Sequence, residues 1–504
     1  MNKKYLPIIN SLKSFVPLVL ASTTVLSNCN VAKAINFNFS YQDGVTFEQI
    51  AAMETAGMIW SDYLADDITV NIHVESTNSL DSNIVGGALP GMVSNFNYGE
   101  FRSLLNNDST SVLDNIADNN LSVKEEHGHE KFTAWLDTGV SGYTEDSGDL
   151  SLTRANAKAI GAIDPHESEL DGYILMSDLS GSSANWNYGL ANSNVNDNSL
   201  DYLSVATHEI GHILGFVSGV DRVDINKYDD WYSLWSDYAD RDDGVMGRMD
   251  ELLDYATPLD MFRYSSRSKQ ADMNNLSYNV IDFSTSQQAY FSLDGGDTLM
   301  YQFAQGQDDN DGWGDGYQAS HWKQKNSDRI GIMDPLINLG QRRQITNRDM
   351  VAFDVIGYDL TMNGHNMIGA GNAANGWLVT GMGTDLSALE YQAKDKKVKK
   401  HFSDGDASWI DWAIAFSNTE TSDYTQDLTD DVEKMIEDSE VYQGRRSGWG
   451  QTAAFWQEAY LQEFKWQTVD LKADSQAVPE PGSTAGFLAM GFFGLGTLLK
   501  RKKK

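Results

Sequence analysis

Cysteine is almost absent from this sequence: Cys29 is the only one in 504 residues. This scarcity argues against a disulfide-stabilised scaffold and against thiol catalysis. Basic residues are also few, with 37 Lys and Arg against 72 Asp and Glu and a formal charge of -35 at pH 7. Because nucleic acids and anionic lipids are bound by clustered Lys and Arg, we expect no nucleic acid and no anionic lipid surface as the main partner.

Apolar and aromatic residues, by contrast, are plentiful. They make up 41% of the chain and include 13 Trp, 22 Tyr and 20 Phe. This composition is close to the globular average and can fill a hydrophobic core, which excludes collagen-like, coiled-coil and wholly disordered chains. No internal repeat of about 20 to 50 residues is visible, which argues against solenoids and propellers.

Residues 1–34 have the features of a secretory signal peptide: a basic start, a mostly apolar stretch over 15–26 and a small-x-small cleavage site at 32–34. We expect the mature chain to begin near Ile35 and to contain no cysteine. A transmembrane helix is the alternative, but the apolar stretch is shorter than the roughly 20 residues that span a bilayer. Lipidation at Cys29 is a further alternative, although a lipobox requires a small residue before the cysteine and Asn28 is larger.

Residues 478–504 contain a Pro-Glu-Pro motif, then an apolar run, then five consecutive basic residues. This tripartite tail resembles the PEP-CTERM sorting signal of bacterial surface proteins. The resemblance implies processing by an exosortase-like membrane enzyme, delivery to the cell surface or extracellular matrix, and membrane contact only through the tail. A plain C-terminal membrane anchor is the alternative.

Between the two ends, hydrophobic periodicity predicts an α+β domain. Apolar residues at helical spacing predict a helix from Thr46 to about Ala65, begun by a capping box of Thr46 and Gln49. Strands are expected at Ile68–Val74 and Gly172–Met176, and another helix at 345–358. The polar residues 105–170 cannot be assigned to elements.

A further helix is predicted just after the second of these strands. Asn198 or Ser199 can cap its start. Its buried apolar stripe consists of Val205, Ala206, Ile210, Ile213 and Leu214. Gly215 can adopt the left-handed conformation that ends a helix.

His208 and His212 lie four residues apart, one turn of this helix, and therefore on the same face. This separation lets two imidazoles bind one zinc ion at about 2.0 to 2.1 Å each. Glu209 follows the first His, where its carboxylate can reach a zinc-bound water without binding the metal. The motif predicts a hydrolytic zinc site.

Residues 208–216 read His-Glu-Ile-Gly-His-Ile-Leu-Gly-Phe, which resembles the metzincin clan of zinc endopeptidases. Most metzincins place the third ligand, a His or Asp, six residues after the second His. That position here is Ser218, and a hydroxyl is a poor zinc ligand. Asp221 and Asp224 lie just beyond it and are candidates for the role.

Downstream, Ala-Ser-His321-Trp322 precedes Gly-Ile-Met333-Asp-Pro335. A His-Trp pair shortly before a Met-x-Pro resembles the leishmanolysin branch of metzincins, with Met333 in the Met-turn beneath the metal. That resemblance makes His321 the third zinc ligand. A gluzincin-type peptidase, with a Glu ligand from a later helix, is the alternative within the same class.

The resemblance implies a metzincin-like catalytic domain over residues 35–360, with a twisted mixed sheet, an active-site helix and a Met-turn. Residues 219–318 would be an insertion between the second and third zinc ligands. Residues 361–477 would form an extension, expected to be mostly helical, whose role the sequence does not indicate.

These features predict a secreted or cell-surface zinc endopeptidase that hydrolyses protein or peptide substrates, with Glu209 as general base. The resemblance also implies that an extended substrate lies antiparallel to the strand at 172–177, taken as the edge of the sheet. A non-catalytic metal-binding surface or matrix protein is the alternative. The presence of Glu209 argues against it, since a structural zinc site needs four closed ligands and no base.

Two acidic stretches are weaker candidates for Ca²⁺ binding. Residues Asp308–Asp315 are rich in oxygen ligands but do not match EF-hand spacing, so a solvated loop is the competing interpretation. Asp294 and Asp297 are interpreted in the same way. The remaining histidines lie in a strand, in a charged loop or without a ligand-spaced neighbour: His73, His127, His129, His166, His365 and His401.

Overall fold

The computed structural model describes residues 34–42, 45–78, 80, 84–137, 142–180, 182–189, 195–223, 252–272, 278–306, 314–323, 331–369 and 465–469. It has mixed α+β architecture, as predicted. The predictions for the signal peptide, Asp224, His401, the sorting tail and nearly all of the C-terminal extension lie outside the described residues. Within those residues no helix is long and apolar enough to cross a membrane.

The strands, in chain order, are β1 (Asn36–Tyr41), β2 (Thr69–Thr77), β3 (Ile84–Pro90), β4 (Met92–Asn97), β5 (Lys124–Glu126), β6 (His129–Asp137), β7 (Gly142–Ser147), β8 (Asp149–Thr153), β9 (Gly172–Ser177), β10 (Asn185–Asn187), β11 (Ser199–Asp201), β12 (Arg263–Tyr264), β13 (Ile281–Asp282), β14 (Tyr290–Phe291), β15 (Tyr301–Gln302), β16 (Leu336–Ile337) and β17 (Lys465–Val469). The helices are α1 (Phe47–Tyr63), α2 (Tyr98–Asp108), α3 (Val112–Asn119), α4 (Arg154–Ala159), α5 (Tyr202–Ile213), α6 (Ser266–Asp272), α7 (Asn347–Val355) and α8 (Met362–Gly369), with 3₁₀ turns at Leu253–Tyr255 and Pro258–Phe262.

The main sheet has the strand order β1-β2-β9-β3-β17-β16. Strands β1, β2 and β9 are parallel, whereas β3 runs antiparallel to β9. Strand β17 pairs antiparallel with β3 and parallel with β16. The sheet is therefore mixed, and β2 and β9 confirm the two predicted strands.

One expectation about this sheet is wrong. Strand β9 is hydrogen-bonded to β2 on one side and to β3 on the other, so it is not an edge and its backbone cannot also receive a substrate. Of the extension expected to be mostly helical, the structure describes residues 361–369, which include α8, and residues 465–469, which form a strand of the main sheet.

Capping residues in the sequence correctly predict where α1 and α7 begin. In α1, the Thr46 N–H donates to Gln49 Oε1 at 2.8 Å and the Gln49 N–H donates to Thr46 Oγ1 at 3.3 Å, which confirms the predicted capping box. Helix α7 confirms the helix predicted at 345–358 and is capped by Thr346. Each cap satisfies backbone N–H groups that the first turn leaves without partners.

The region that the sequence left unassigned is well structured, and it joins the segment predicted as an insertion. Strand β6 pairs with β5 and β7, and on its other side with β13, which lies within 219–318. Phe262, Phe283 and Phe291 from that segment are buried in the same hydrophobic core as the main sheet. The described part of 219–318 thus packs into the body of the domain.

A buried ion pair ties α4 to this sheet. Lys158 Nζ lies 2.6 Å from Asp171 Oδ2, and both side chains are fully buried. Lys158 also donates to the Thr69 carbonyl, and Asp171 accepts the Asn71 N–H, so the pair links α4 to β2 and to the start of β9. Such a pair depends on both partners, since removing one leaves an uncompensated buried charge.

We therefore expect Lys158→Met to lower the free energy of unfolding by about 3 to 5 kcal/mol, measured by denaturant titration. Lys131→Met, which removes a Lys paired with Glu126 at the surface, is the matched control and should change stability little. Equal effects of the two substitutions would contradict a structural role for the buried pair.

Candidate metal centre

Helix α5 carries both motif histidines and is buried along its whole length. Its cap is Asp201, whose carboxylate accepts the Ser204 N–H at 3.2 Å and the Ser204 hydroxyl at 2.6 Å. The prediction of Asn198 or Ser199 as cap is wrong, because Ser199 lies in strand β11, which pairs with β10 before the helix starts. Arg342 binds both Asp201 oxygens and balances the buried charge.

The end of α5 follows the prediction. Gly215 has φ +116°, in the left-handed region that favours glycine, and the Phe216 N–H donates to the Gly211 carbonyl. The turn brings the Phe216 carbonyl to 2.7 Å from His212 Nδ1. The helix stop therefore also orients a histidine.

The structure brings His208, His212 and His321 together, all three buried. Their Nε2 atoms are 3.1 Å apart between His208 and His212, and 3.3 Å from each of these to His321. Each Nδ1 lies against a backbone carbonyl: Ile332 for His208 at 2.7 Å, Phe216 for His212 at 2.7 Å and Gln318 for His321 at 3.2 Å.

These contacts fix the tautomer of each ring. A carbonyl oxygen only accepts hydrogen bonds, so each Nδ1 must carry the proton and each Nε2 presents a lone pair. Three buried lone pairs at this distance repel one another unless a cation lies between them. Ligand nitrogens of a tetrahedral ion bound at about 2.0 to 2.1 Å are about 3.3 Å apart, which matches the observed spacing. The triad could therefore bind a metal ion.

The protonation state also suits a metal. Burial lowers the pKa of His208 and of His212 well below the usual value, and burial lowers the pKa of His321 to about 4. All three imidazoles are thus neutral at pH 7, which is the form that binds a metal.

Glu209 is the unusual carboxylate of this region. It is fully buried, and neither of its oxygens has a hydrogen-bond partner among the described residues. A Cβ placed on Gly86 of β3 would lie 3.0 Å from Glu209 Oε1, so the glycine lets the strand pass close to the carboxylate. Burial raises the pKa of Glu209 well above its usual value. A buried carboxyl without partners is costly, which points to a function.

Asp221, the alternative candidate for the third ligand, holds the segment just before His321 in place. Asp221 accepts the Ala319 N–H at 2.6 Å and the Ser320 hydroxyl at 2.5 Å, directly before the histidine. The Ser320 hydroxyl oxygen accepts the Ser218 N–H at 2.8 Å. Asp221 thus positions the segment of His321 and lies outside the triad, while Asp224 lies outside the described residues.

Met333 lies directly against helix α5. A Cβ on Gly211 would be 2.5 Å from the Met333 sulfur, so the missing side chain lets the thioether pack against the helix. Gly211 lies between His208 and His212 in the sequence. The preceding Ile332 carbonyl is the partner of His208. The turn at 332–333 therefore both supports the helix and orients His208.

Asp349, which the sequence analysis did not single out, fixes that turn. Its buried carboxylate accepts the N–H groups of Ile332 at 2.9 Å and Met333 at 3.3 Å, and the Trp322 indole N–H at 2.9 Å. It also caps its own helix through Thr346. In the sequence, its position three residues after Thr346 was the only indication that Asp349 would bind backbone N–H groups.

The other sequence candidates have ordinary partners. Asp294 accepts from Ser292 and Thr298 within one turn, and Asp297 pairs with Lys269 at 3.2 Å. Asp315 pairs with Lys323, and residues 308–313 lie outside the described part of the chain. Among the described residues, the triad is the group of His, Cys, Asp and Glu side chains with metal-binding geometry.

We expect Asp349→Asn to lower the free energy of unfolding by about 2 to 4 kcal/mol and to weaken metal binding, because an amide turns a donor toward the donors that Asp349 now accepts. Denaturant titration and metal titration measure the two effects. Asp297→Asn, at a carboxylate that is 76% exposed, is the control and should change neither. An Asp349→Asn chain with unchanged stability would contradict this role.

Comparison of the chain with family models, curated proteins and solved structures found no match. The function must therefore be inferred from the site itself. That site consists of three neutral, convergent imidazoles beside a buried carboxylate without partners.

Proposed function

We propose that this chain is a zinc-dependent endopeptidase of the metzincin type, with a leishmanolysin-like third ligand. The observation that carries the proposal is the convergence of three Nε2 lone pairs next to Glu209, which follows His208 on the same helix. Among the described residues, the three Nε2 lone pairs and the two Glu209 oxygens are buried without a hydrogen-bond donor, which is costly in a purely structural role.

Zinc suits the donor set better than other common ions. Three imidazole nitrogens at tetrahedral spacing are typical of catalytic zinc sites, which keep a fourth position open. Mg²⁺ and Ca²⁺ prefer oxygen ligands, so they fit poorly here. Zinc held by His208, His212 and His321 would polarise a peptide carbonyl and lower the pKa of water.

Glu209 would supply the proton transfers. Its carboxylate would accept a proton from the attacking water and return it to the leaving amine. Burial raises the pKa of Glu209, and a carboxylate with a higher pKa is a stronger base. A non-catalytic metal-binding protein would gain nothing from burying this carboxylate, so we favour the peptidase.

The surroundings of the triad support the metzincin type over the gluzincin alternative. Met333 packs against Gly211, as expected of a Met-turn beneath the metal. The described residues bring a third His, His321, to the site, which is the ligand that the leishmanolysin-like arrangement requires. The secretory signal and the PEP-CTERM-like tail further support a secreted protein of the bacterial cell surface or matrix, processed by an exosortase-like enzyme.

The base assignment predicts that Glu209→Gln keeps zinc but loses casein hydrolysis by about a hundredfold or more. Zinc per chain and hydrolysis rate are measured on the same preparations. Glu130→Gln, at a partly exposed surface salt bridge with Arg102, is the control and should retain both properties. Full activity of a zinc-loaded Glu209→Gln chain would disprove the role of Glu209 as base.

The ligand assignment predicts that His321→Ala weakens zinc binding by about a hundredfold or more, because only two of three nitrogens remain. His166→Ala, at an exposed histidine, should bind zinc normally. Normal zinc content in His321→Ala, with loss of zinc in Asp221→Asn, would instead transfer the ligand role to Asp221.

A further inference from the structure

Strand β17 fills a groove between two segments of the domain. On one side it runs antiparallel to β3, with Lys465 opposite Ala88 and Gln467 opposite Gly86. On the other it runs parallel to β16, with Thr468 opposite Leu336. An extended segment bound on both edges has its backbone groups satisfied whatever its sequence, which is how a sheet edge accepts a foreign peptide.

This groove lies next to the proposed catalytic groups. Gly86, opposite Gln467, is the residue whose Cβ position is 3.0 Å from Glu209 Oε1. Strand β16 begins three residues after Met333, in the segment that follows the turn orienting His208. Helix α5 contacts both β3 and β17. The backbone of β17 is thus one strand away from the buried carboxylate.

A charged contact holds the first residue of β17. Lys465 Nζ lies 2.7 Å from Asp221 Oδ2, and the two side chains are only 12% and 4% exposed. Asp221 is the same carboxylate that binds Ala319 and Ser320 ahead of His321. Burial alone would raise the pKa of Asp221, but Lys465 and Ser320 outweigh it and lower the pKa. Removing or reversing one charge of a pair this sheltered leaves the other charge buried and unpaired, which costs far more than the same change at the open surface.

We propose that the groove between β3 and β16 is the substrate-binding cleft and that β17 occupies it as an internal, substrate-like strand. The proposal rests on the peptidase function proposed above. The cleft then takes polypeptide in extended conformation and favours Lys or Arg at the position facing Asp221. Hydrolysis by the full chain is then slow until Lys465–Val469 leaves the cleft, since β3 cannot pair with β17 and with a substrate on the same edge.

The test compares the zinc-loaded full chain with Lys465→Glu, Lys465→Ala and Lys465→Arg. Backbone hydrogen exchange of β3 reports whether its outer edge is paired, and casein hydrolysis reports access to the site. We expect faster exchange in β3 and at least about tenfold faster hydrolysis in Lys465→Glu, a smaller increase of both in Lys465→Ala, and neither change in Lys465→Arg.

Two controls separate this effect from damage to the fold. Hydrogen exchange should be the same in every variant in α1 and in β2, which is separated from β17 by β9 and β3. Lys472→Glu makes the same charge change outside the described strand and should behave as the unmodified chain.

Equal β3 exchange and equal hydrolysis in all chains would overturn the proposal. Faster β3 exchange in Lys465→Glu without hydrolysis by any chain would support the occupation of the groove by β17 and would count against the peptidase function instead.

Discussion

Each of the three clustered histidines has one ring nitrogen committed to a backbone carbonyl, and the geometry of the site follows from that constraint. The carbonyls belong to Phe216, Gln318 and Ile332, in three separate turns of the chain. All three turns must be in place before the Nε2 lone pairs can converge. The site is therefore a property of the packed domain, and a metal ion bound there would in turn stabilise the turns that build it.

Buried carboxylates hold two of these turns and cap helix α5, and their partners explain why they are tolerated. Asp349 fixes the 332–333 turn, Asp221 fixes the segment before His321, and Asp201 caps α5 with Arg342 beside it. Each accepts several hydrogen bonds, which offsets the loss of hydration. Glu209 is buried on the same scale without such partners. This contrast between satisfied and unsatisfied carboxylates distinguishes the groups that support the site from the one proposed to act in it.

Strand β17 links the far end of the chain to the same network. Through Lys465 it contacts Asp221, and through β3 it borders the strand whose Gly86 leaves room for Glu209. The strand thus combines a sequence-tolerant backbone pairing with one side-chain contact that can confer preference. A latent peptidase controlled in this way needs neither cysteine nor a separate inhibitor, which agrees with a chain whose only cysteine precedes the predicted cleavage site.

Features set by local geometry were determined by the sequence alone: the i, i+4 spacing of His208 and His212, the glycine stop at Gly215, and the Thr46 cap of α1. Resemblance, not spacing, singled out His321, because 109 residues of chain separate it from His212. Only the tertiary structure decided which strand lies at an edge, that Asp201 caps α5, and that residues 465–469 join the sheet. Helix caps and turns depend on neighbours within a few residues, whereas strand pairing and the convergence of distant side chains depend on packing between segments that the sequence does not order in space.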